Sequence, residues 1–451
     1  MSMPDQLSRF LSENSDIQSV ECMLVDPNGI MRGKWAPIST LNKAFKEGIN
    51  FPLSLHGCDI WGREVPATEL HIESGDRDGF CRAVPHTLAR VPWGERPSAQ
   101  ILLQTFQDDG TRFGGCSRSR LEDVVDGLQK LDLHPVVAFE LEFFLFKPRG
   151  EWASNQPEIS DAFSEKDDQN PDNQRMYSLD ALAENSAFFE DVRYAAELQS
   201  LPIDTIVKEA APGQYEINLN HRDNALMAAD DAVLLRRIIL ECARKNHLMA
   251  TFMAKPFIDQ PGNGMHMHIS LLNGKGKNVF SGQDGRPKLE SAIAGLIETM
   301  AETSLLFVNS FNGYRRMQPG SYAPTRAIWG ENNRSVAVRI PASDENARRL
   351  EHRISGADAN PYLALSAILR AMQEGVEKDM RPPAAEEGNS YDRTGNELPA
   401  SLGDALERFE KSEFSARAIG PQMVKIISAI KKAELETFAN EISPLERATY
   451  L

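Results

Sequence analysis

The first residues of the chain change from helical to strand-like periodicity. Apolar residues at helical spacing over 7–11 are followed by alternation over 20–25, which predicts a strand. Residues 26–29 read Asp-Pro-Asn-Gly, and Pro and Gly supply turn dihedrals, so residues 30–35 can return as a second strand. The chain is therefore predicted to begin with a short helix and a β-hairpin.

Proline and glycine recur through residues 50–118, around a short predicted strand at 99–106. This spacing is typical of a small β-rich domain built from short segments. We predict an N-terminal domain over residues 1–115 and a larger C-terminal domain over residues 116–451. Two domains also suit the length, because single hydrophobic cores stop growing near roughly 250 to 300 residues.

The larger part of the chain mixes helical patterns with strands of alternating polarity. Residues 149–175 are polar and acidic, which predicts a surface loop. The strands lack regular βαβ spacing, so they favour an α+β fold with a curved, largely antiparallel sheet backed by helices. Helices are predicted at 118–131, 179–199, 224–246 and 288–309, after Asn360-Pro361, and as a solvated pair over 401–441.

Charged side chains on predicted strands are the most informative feature of the sequence. In the apolar run at 136–146, Glu140 and Glu142 lie two residues apart, so both side chains project from one face of the strand. Two carboxylates this close in apolar surroundings repel each other and have raised pKa values unless a cation neutralises them. The pair indicates either a cation site or an edge strand with one solvated face.

Similar patterns place polar side chains on predicted strands elsewhere. Each of these segments, taken alone, is also compatible with a salt-bridged sheet face. The residues concerned are His266, His268 and Ser270 in one segment, Glu351 and Arg353 in another, and Glu209 and Glu216 on either side of a Pro-Gly turn.

Taken together, these residues predict one chemical centre. Carboxylates with few histidines and no thiolates suit Mg²⁺ or Mn²⁺ rather than zinc. Arginines beside such a site suit phosphate or carboxylate, because the planar guanidinium binds two oxygens of either group. Neither a P-loop nor a strand-associated GxGxxG motif occurs, so a nucleotide would lie in a sheet-lined cavity. The arginines are Arg316, Arg334, Arg339, Arg349 and Arg353.

Composition and charge disfavour several classes of protein. The chain has 49 Lys and Arg against 65 Asp and Glu, a formal charge of −16, so it lacks the basic surface that nucleic-acid binding requires. No apolar stretch approaches the roughly 18 to 20 residues that span a membrane, and the acidic N-terminus does not resemble a signal peptide. Five separated cysteines without a CxxC pair suggest neither disulfides nor a thiolate zinc site. We expect a cytoplasmic protein that binds no nucleic acid and no membrane.

Motifs along nearly the whole chain resemble those of the type I glutamine synthetase family, in the family's order. They are ELEFFLF at 140–146, PGQYE at 212–216, GNGMHMH at 262–268, NRSVAVRIP at 333–341 and GADANPYL at 356–363. Within that family the chain is most similar to the γ-glutamylputrescine and γ-glutamylpolyamine synthetases, through FMAKP at 252–256, YRR at 314–316 and EHR at 351–353. The resemblance implies an N-terminal β-grasp-like domain and a catalytic domain whose curved sheet lines an active-site funnel.

The resemblance also implies a role for each candidate residue. Glu142, Glu209 and Glu216 would hold one Mg²⁺ or Mn²⁺ ion, and Glu140, His266 and Glu351 a second. Glutamate would bind to Gly262, His266, Arg316, Arg334 and Arg353, and ATP would face His268, Ser270, Arg339 and Arg349. The protein would be a dodecamer of two hexameric rings, in which a neighbouring subunit completes each active site.

Two acids that form the ammonium pocket of glutamine synthetases proper are absent from this sequence. One is the Asp of an N-terminal Phe-Asp-Gly-Ser-Ser segment, where this chain has Pro52. The other is a Glu after Pro-Gly-Tyr, where this chain has Tyr322. Desolvated ammonium needs full charge compensation, whereas an alkylamine also gains about 0.8 kcal/mol for each buried CH₂. The departure therefore implies a larger amine.

The expected reaction joins the γ-carboxyl of L-glutamate to putrescine or a related amine, using ATP and a γ-glutamyl phosphate intermediate. Arg334 is predicted to stabilise the transferred phosphoryl group, Arg316 to bind the glutamate α-carboxylate, and Tyr322 to replace the usual carboxylate beside the amine. The base that deprotonates the amine is left open, as is a monoamine such as ethanolamine. The alternatives are a glutamine synthetase that uses ammonium and a non-catalytic relative that senses glutamate or amine.

Overall fold

Two β-sheets organise the chain, one from its first part and one from the remainder. The computed structural model describes residues 3–148, 176–392 and 394–451, so the loop predicted over 149–175 lies outside the described residues. Helices and mainly antiparallel strands together give an α+β fold, as the sequence predicts.

The first sheet contains six strands in a mixed arrangement. They are β1 (Ser19–Val25), β2 (Met31–Pro37), β3 (Ile49–Pro52), β4 (Asp78–Ala83), β5 (Ala89–Val91) and β6 (Ser98–Phe106). Their order is β2-β1-β6-β4-β3, with β5 beside β6. The predicted hairpin is confirmed, because β1 and β2 pair antiparallel, whereas β1 and β6 run parallel.

The second sheet contains eight strands around one long central strand. They are β7 (His134–Phe146), β8 (Ile203–Lys208), β9 (Gln214–Leu219), β10 (Met249–Thr251), β11 (Met265–Leu272), β12 (Trp329–Glu331), β13 (Val338–Ile340) and β14 (Leu350–His352). Their order is β12-β13-β14-β11-β7-β9-β8, with β10 beside β7. Only β12 and β13 are parallel among the described pairs of this sheet, so the predicted antiparallel sheet is confirmed.

Helices flank the sheets and connect their strands. They are α1 (Met3–Glu13), α2 (Thr40–Lys46), α3 (Ser117–Gln129), α4 (Leu179–Ala183), α5 (Ser186–Leu198), α6 (Ala225–Lys245), α7 (Gly285–Phe307), α8 (Gly313–Arg316), α9 (Pro361–Glu377), α10 (Leu402–Lys411), α11 (Glu413–Ile419), α12 (Pro421–Ala439) and α13 (Pro444–Tyr450). Short 3₁₀ turns occur at Leu53–Gly57, Pro66–Thr68, Ile72–Ser74, Pro85–Thr87 and Ser390–Asp392. Within the described ranges, no helix combines the length and apolar character that a membrane crossing needs.

The alternation along β7 separates a buried face from a functional one. Phe139, Leu141 and Phe143 are fully buried in the main hydrophobic core, to which α3, α6, α7 and α9 also contribute. Because successive strand side chains point to opposite faces, Glu140 and Glu142 lie on the face away from that core. The helices therefore fix the strand from behind and leave its charged face open.

Two predicted helical segments are divided in the structure. The segment at 179–199 becomes α4 and α5, because Asn185 leaves helical geometry and donates from Nδ2 to the Tyr215 hydroxyl at 2.9 Å. The predicted pair over 401–441 is wrong, since that segment forms the three helices α10, α11 and α12. Ser412 caps the second of these, and Gly420, with φ of 81°, precedes the proline that begins the third.

Asn360 joins the hairpin turn to the helices behind the second sheet. Its Oδ1 accepts from the backbone N–H groups of Tyr362 at 3.0 Å and Leu363 at 3.3 Å, which caps α9. Its Nδ2 donates to the Asp26 carbonyl at 2.9 Å and to Ser117 Oγ at 3.1 Å. The bond to Asp26 crosses the domain boundary predicted at residue 115, and that boundary stays a prediction.

We expect Asn360→Ala to lower the free energy of unfolding by about 2 to 4 kcal/mol, because it removes a helix cap and strands buried partners of the amide. Urea unfolding measures this loss. Asn224→Ala is the matched control, since Asn224 caps α6 from an exposed position and its loss should cost about 1 kcal/mol. Equal losses in the two variants would show that the bridge to the hairpin contributes nothing.

Candidate active site

Strand register brings the predicted charged residues side by side on the second sheet. Glu142 on β7 lies opposite Glu216 on β9, and Glu140 lies opposite His266 on β11. One strand further on, His268 lies opposite Glu351 on β14. Side chains directly opposite each other in antiparallel strands have Cβ atoms about 5 Å apart. The sheet therefore assembles this cluster from residues that are up to 211 positions apart in sequence (351 − 140 = 211).

Two adjoining cavities lie on this face of the sheet, and Glu140 and Asn218 line both. The first has a volume of about 600 Å³ and the second of about 670 Å³. Every candidate residue named from the sequence except Pro52 lines at least one of them. The first is lined by Glu140, Glu142, Glu209, Glu216, Gly262, His266, Arg316, Tyr322, Arg334, Arg339, Glu351 and Arg353, and the second by Glu140, His268, Ser270 and Arg349.

Histidines compensate the charge of Glu140. Its Oε2 lies 3.2 Å from His266 Nδ1, and its Oε1 lies 2.8 Å from His268 Nε2. Burial alone would raise the pKa of Glu140, but the hydrogen bonds with these two rings outweigh burial and hold the pKa well below its usual range. Arg349 Nε lies 3.2 Å from His268 Nδ1, which orients the ring with Nε2 toward Glu140.

Two other carboxylates of the cluster, Glu209 and Glu216, form no ion pair with the described residues. Burial and then the charge of Glu142 raise the pKa of Glu209 to about 7. Burial and the charges of Glu140, Glu142 and Glu209 raise the pKa of Glu216 well above its usual value. Mutual repulsion of this kind is relieved by a bound cation, so these oxygen donors fit a hard divalent metal ion.

The ligand atoms of two triads lie within 4.8 Å of one another and could hold a metal ion: Glu140, Glu216 and His266, and Glu140, His268 and Glu351. These triads differ from the two predicted ligand sets, because Glu140 is common to both and His268 belongs to one. Glu142 lies close by, but its Oε2 accepts the Gly264 backbone N–H at 2.6 Å.

Two arginines hold Glu351 in this structure. Arg339 Nη1 lies 2.8 Å from Glu351 Oε2, and Arg353 Nη1 binds Glu351 Oε1. Burial opposes ionisation of Glu351, but the charge of Arg353 and the two histidines outweigh it and lower the pKa to about 2. A metal ion that takes Glu351 as a ligand therefore competes with these arginines.

Arg316 is a buried guanidinium that faces the first cavity. Its Nη1 donates to the Ile354 carbonyl at 2.7 Å, and among the described residues no carboxylate lies within ion-pair distance. Burial lowers its pKa, although the charge of Glu142 opposes the change. Carbonyl dipoles alone leave its positive charge largely uncompensated, so a substrate carboxylate would complete its coordination.

Glycine is required where the chain passes Arg316. A Cβ on Gly262 would lie 2.4 Å from the Ala254 carbonyl oxygen and 2.9 Å from Arg316 Cγ. A Cβ on Gly264 would lie 2.7 Å from Arg316 Nη2. The absence of side chains at both positions lets the backbone approach the guanidinium and leaves room beside it.

Sequence reasoning missed residues that support the site. Gln214 Nε2 donates to the Gly262 carbonyl at 3.0 Å and to Asn263 Oδ1 at 3.1 Å, which fixes the glycine segment. Asn218 lines both cavities, on the same strand face as Glu216. The alternation along the strand places Asn218 on the same face as Glu216, so the sequence could have predicted it. The pairing of Gln214 with Asn263 depends on tertiary contact and leaves no local pattern.

The two residues at the predicted amine position have different places in this chain. Tyr322 lines the first cavity, is 69% exposed and has φ of 57°. Pro52 lies in β3, opposite Asp78 of β4, and lines neither active-site cavity of this chain. The first cavity is therefore open on the side of Tyr322.

Comparisons with known proteins agree with this site. A family model for the glutamine synthetase catalytic domain matches residues 114–450. Gamma-glutamylputrescine synthetase PuuA of Escherichia coli (strain K12) is 38% identical, covering 98% of this chain and 93% of that protein. A glutamate–isopropylamine ligase of a Pseudomonas species is 31% identical, covering 98% and 97%. The solved complex of GmaS with ADP matches with a TM-score of 0.84 at 25% identity, covering 98% and 99%. The chain therefore belongs to the glutamine synthetase family.

Proposed function

We propose that this enzyme joins the γ-carboxyl of L-glutamate to putrescine or a related amine at the expense of ATP. The observation that carries the proposal is Tyr322, which lines the charged cavity at the position of the acid that binds ammonium in glutamine synthetases proper. Two relatives named for putrescine and isopropylamine support the same substrate class. Family membership makes the chain an ATP-dependent carbon–nitrogen ligase.

Glutamate is proposed to bind in the first cavity with its α-carboxylate on Arg316. Its γ-carboxylate then attacks the γ-phosphorus of ATP in line, so that ADP leaves and γ-glutamyl phosphate forms. Arg334 is exposed at the cavity and is proposed to bind the transferred phosphoryl group, while Arg339 would face the nucleotide phosphates. Positioned guanidinium groups of this kind stabilise negative charge that develops during the transfer.

ATP is proposed to extend into the second cavity, toward His268, Ser270 and Arg349. Arg339 lies in the first cavity instead, beside Glu351, which places it where the nucleotide phosphates would meet glutamate. Because Glu140 lines both cavities, it lies at the point where the two substrates would approach each other.

Proteins of this family use divalent metal ions, and we propose Mg²⁺ or Mn²⁺ in this enzyme. Glu140, Glu216 and His266 fit one ion by geometry, with Glu142 and Glu209 nearby and Glu351 available when its arginines move. When bound, such ions neutralise the phosphate oxygens of ATP. The mutual repulsion among the carboxylates supports this assignment, because it disappears when a cation binds.

The amine is proposed to enter beside Tyr322. An alkylamine has a pKa near 10 and arrives protonated, so it loses a proton before it displaces phosphate from γ-glutamyl phosphate. Proteins of this family are generally oligomers, and we propose a dodecamer of two hexameric rings in which the Pro52 segment of a neighbour closes each amine pocket. The open side of the first cavity at Tyr322 supports this arrangement.

We expect putrescine to give a higher kcat/KM than ammonium, with ethanolamine and isopropylamine as comparison amines. Burying the four CH₂ groups of putrescine contributes up to about 3 kcal/mol, or roughly 200-fold. Phosphate release with glutamate, ATP and Mg²⁺ measures the order. The highest rate with ammonium would identify a glutamine synthetase and overturn the amine assignment.

Glu142→Gln is expected to reduce ATP turnover by at least about 100-fold while the melting temperature stays the same. The amide can still accept the Gly264 N–H but has no charge for a metal ion. Glu197→Gln, on an exposed position of α5, is the matched control and should retain full activity. If Glu142→Gln turned over ATP normally, its predicted metal role would be wrong.

Tyr322→Glu is expected to raise the kcat/KM for ammonium relative to putrescine by about tenfold, because it returns a carboxylate to the amine side of the cavity. Tyr322→Phe keeps the ring and should leave the preference for putrescine in place. Competition assays with both amines measure the ratio for each variant. An unchanged ratio in Tyr322→Glu would show that selectivity arises elsewhere.

A further inference from the structure

The 3₁₀ turn at Ser390–Asp392, which we call the bridging turn, contacts two loops that line the first cavity. One loop carries Tyr322 on the amine side, and the other carries Arg334 on the phosphoryl side. Among the described residues that line the two active-site cavities, none belongs to the bridging turn itself. The turn can therefore influence bound substrates only through the loops that it contacts.

Ser390 attaches the bridging turn to the loop that carries Arg334. Its backbone N–H donates to Ser335 Oγ at 3.1 Å, and its hydroxyl donates to the Ser335 carbonyl. Ser335 Oγ donates to Asn333 Oδ1 at 2.7 Å, and Asn333 Nδ2 donates to the Gly388 carbonyl at 2.9 Å. The residues on both sides of Arg334 are thus bonded to the segment that contains the turn.

Arg326 holds the bridging turn from behind. This buried guanidinium donates from Nη1 to the Ser390 carbonyl at 3.2 Å. It also donates from Nη2 to the Thr394 carbonyl at 2.7 Å and from Nε to the Gly395 carbonyl at 2.6 Å. Hydrogen bonds from a charged donor are stronger than those between neutral groups, so three of them fix the turn in one place.

Tyr391 attaches the same turn to the loop that carries Tyr322. Its hydroxyl donates to the Ala323 carbonyl at 2.9 Å and also interacts with the Ser321 side chain. Burial raises the pKa of Tyr391 above its usual value, so the hydroxyl keeps its proton at neutral pH and can donate it. The residues on both sides of Tyr322 therefore meet this one hydroxyl.

Tyr322 depends on such support because its backbone is strained. Its φ of 57° lies in the left-handed region, which costs free energy for any residue with a Cβ and persists only where the surroundings hold it. The side chain is largely exposed and supplies little packing of its own. On one side Ser321 Oγ donates to the Arg316 carbonyl at 2.9 Å, and on the other Tyr391 holds Ala323.

We propose that Tyr391 is a positioning residue for the amine substrate. By holding the Ala323 carbonyl, it fixes the strained turn that presents Tyr322 to the first cavity. The inference rests on the proposed amine ligation, in which Tyr322 meets the alkyl chain of the amine. Because Ser390 binds the other loop, one rigid turn joins the amine side of the site to the phosphoryl side.

Steady-state kinetics of the full-length enzyme with Tyr391→Phe, which removes only the hydroxyl, tests the proposal. We expect the KM for putrescine to rise at least about fivefold, as the loss of one hydrogen bond allows, while the KM values for glutamate and ATP stay within about twofold. Tyr194→Phe is the matched control, because Tyr194 is exposed on α5 and lines neither active-site cavity. It should leave all three KM values unchanged.

A double-mutant cycle separates positioning from a general loss of structure. If Tyr391 acts through Tyr322, adding Tyr391→Phe to Tyr322→Ala should change the KM for the amine by less than about twofold. Tyr391→Met also lacks the donor, and it takes the place of Tyr391→Phe in the cycle if that variant does not fold.

Three results would each overturn the proposal. They are an unchanged KM for the amine in Tyr391→Phe, an equal rise in the KM of all three substrates, and a full effect of Tyr391→Phe in the Tyr322→Ala background. If ammonium is the better substrate, the proposed function fails, and the same cycle with ammonium still decides whether Tyr391 acts through Tyr322.

Discussion

The whole site depends on one electrostatic constraint, the concentration of carboxylates on a partly buried sheet face. Glu140 is stable there because two histidines bind it, and Glu351 because two arginines do. Among the described residues Glu209 and Glu216 form no such ion pair, and their pKa values are raised by burial and mutual repulsion. The fold thus pairs part of the cluster with basic side chains, and the remaining carboxylate charge supports the proposed metal ion.

The sequence predicted the central elements of the fold because their periodicity is unambiguous. The alternation in β7 and β11 identified which charged residues share a face, and the register of the strands then placed Glu140 opposite His266. Register itself depends on pairing between distant segments, so no local pattern shows that Glu140 lies beside both His266 and His268, and the division of the ligands between two ions stays a prediction. The break at Asn185 likewise depends on a tertiary bond to Tyr215, which no local pattern shows.

The amine side of the site follows a different physical rule from the phosphate side. Fixed guanidinium groups would recognise the phosphate and carboxylate groups. The resemblance to the family indicated which arginines these are. In the proposed arrangement the amine would meet Tyr322 at an open edge of the cavity, and its recognition would depend on apolar contact and on a neighbouring subunit.

The most direct test of this account is the number of protons released when Mn²⁺ binds to the protein without nucleotide, measured by calorimetry at pH 7 in buffers of different ionisation enthalpy. A carboxylate with a raised pKa value carries a proton at neutral pH, and it releases that proton when it binds a metal ion. The account predicts saturable binding with release of between about one and two protons per chain, and about one proton fewer in Glu216→Gln. Binding without proton release, or no saturable binding, would contradict the assignment of this sheet face as the metal centre.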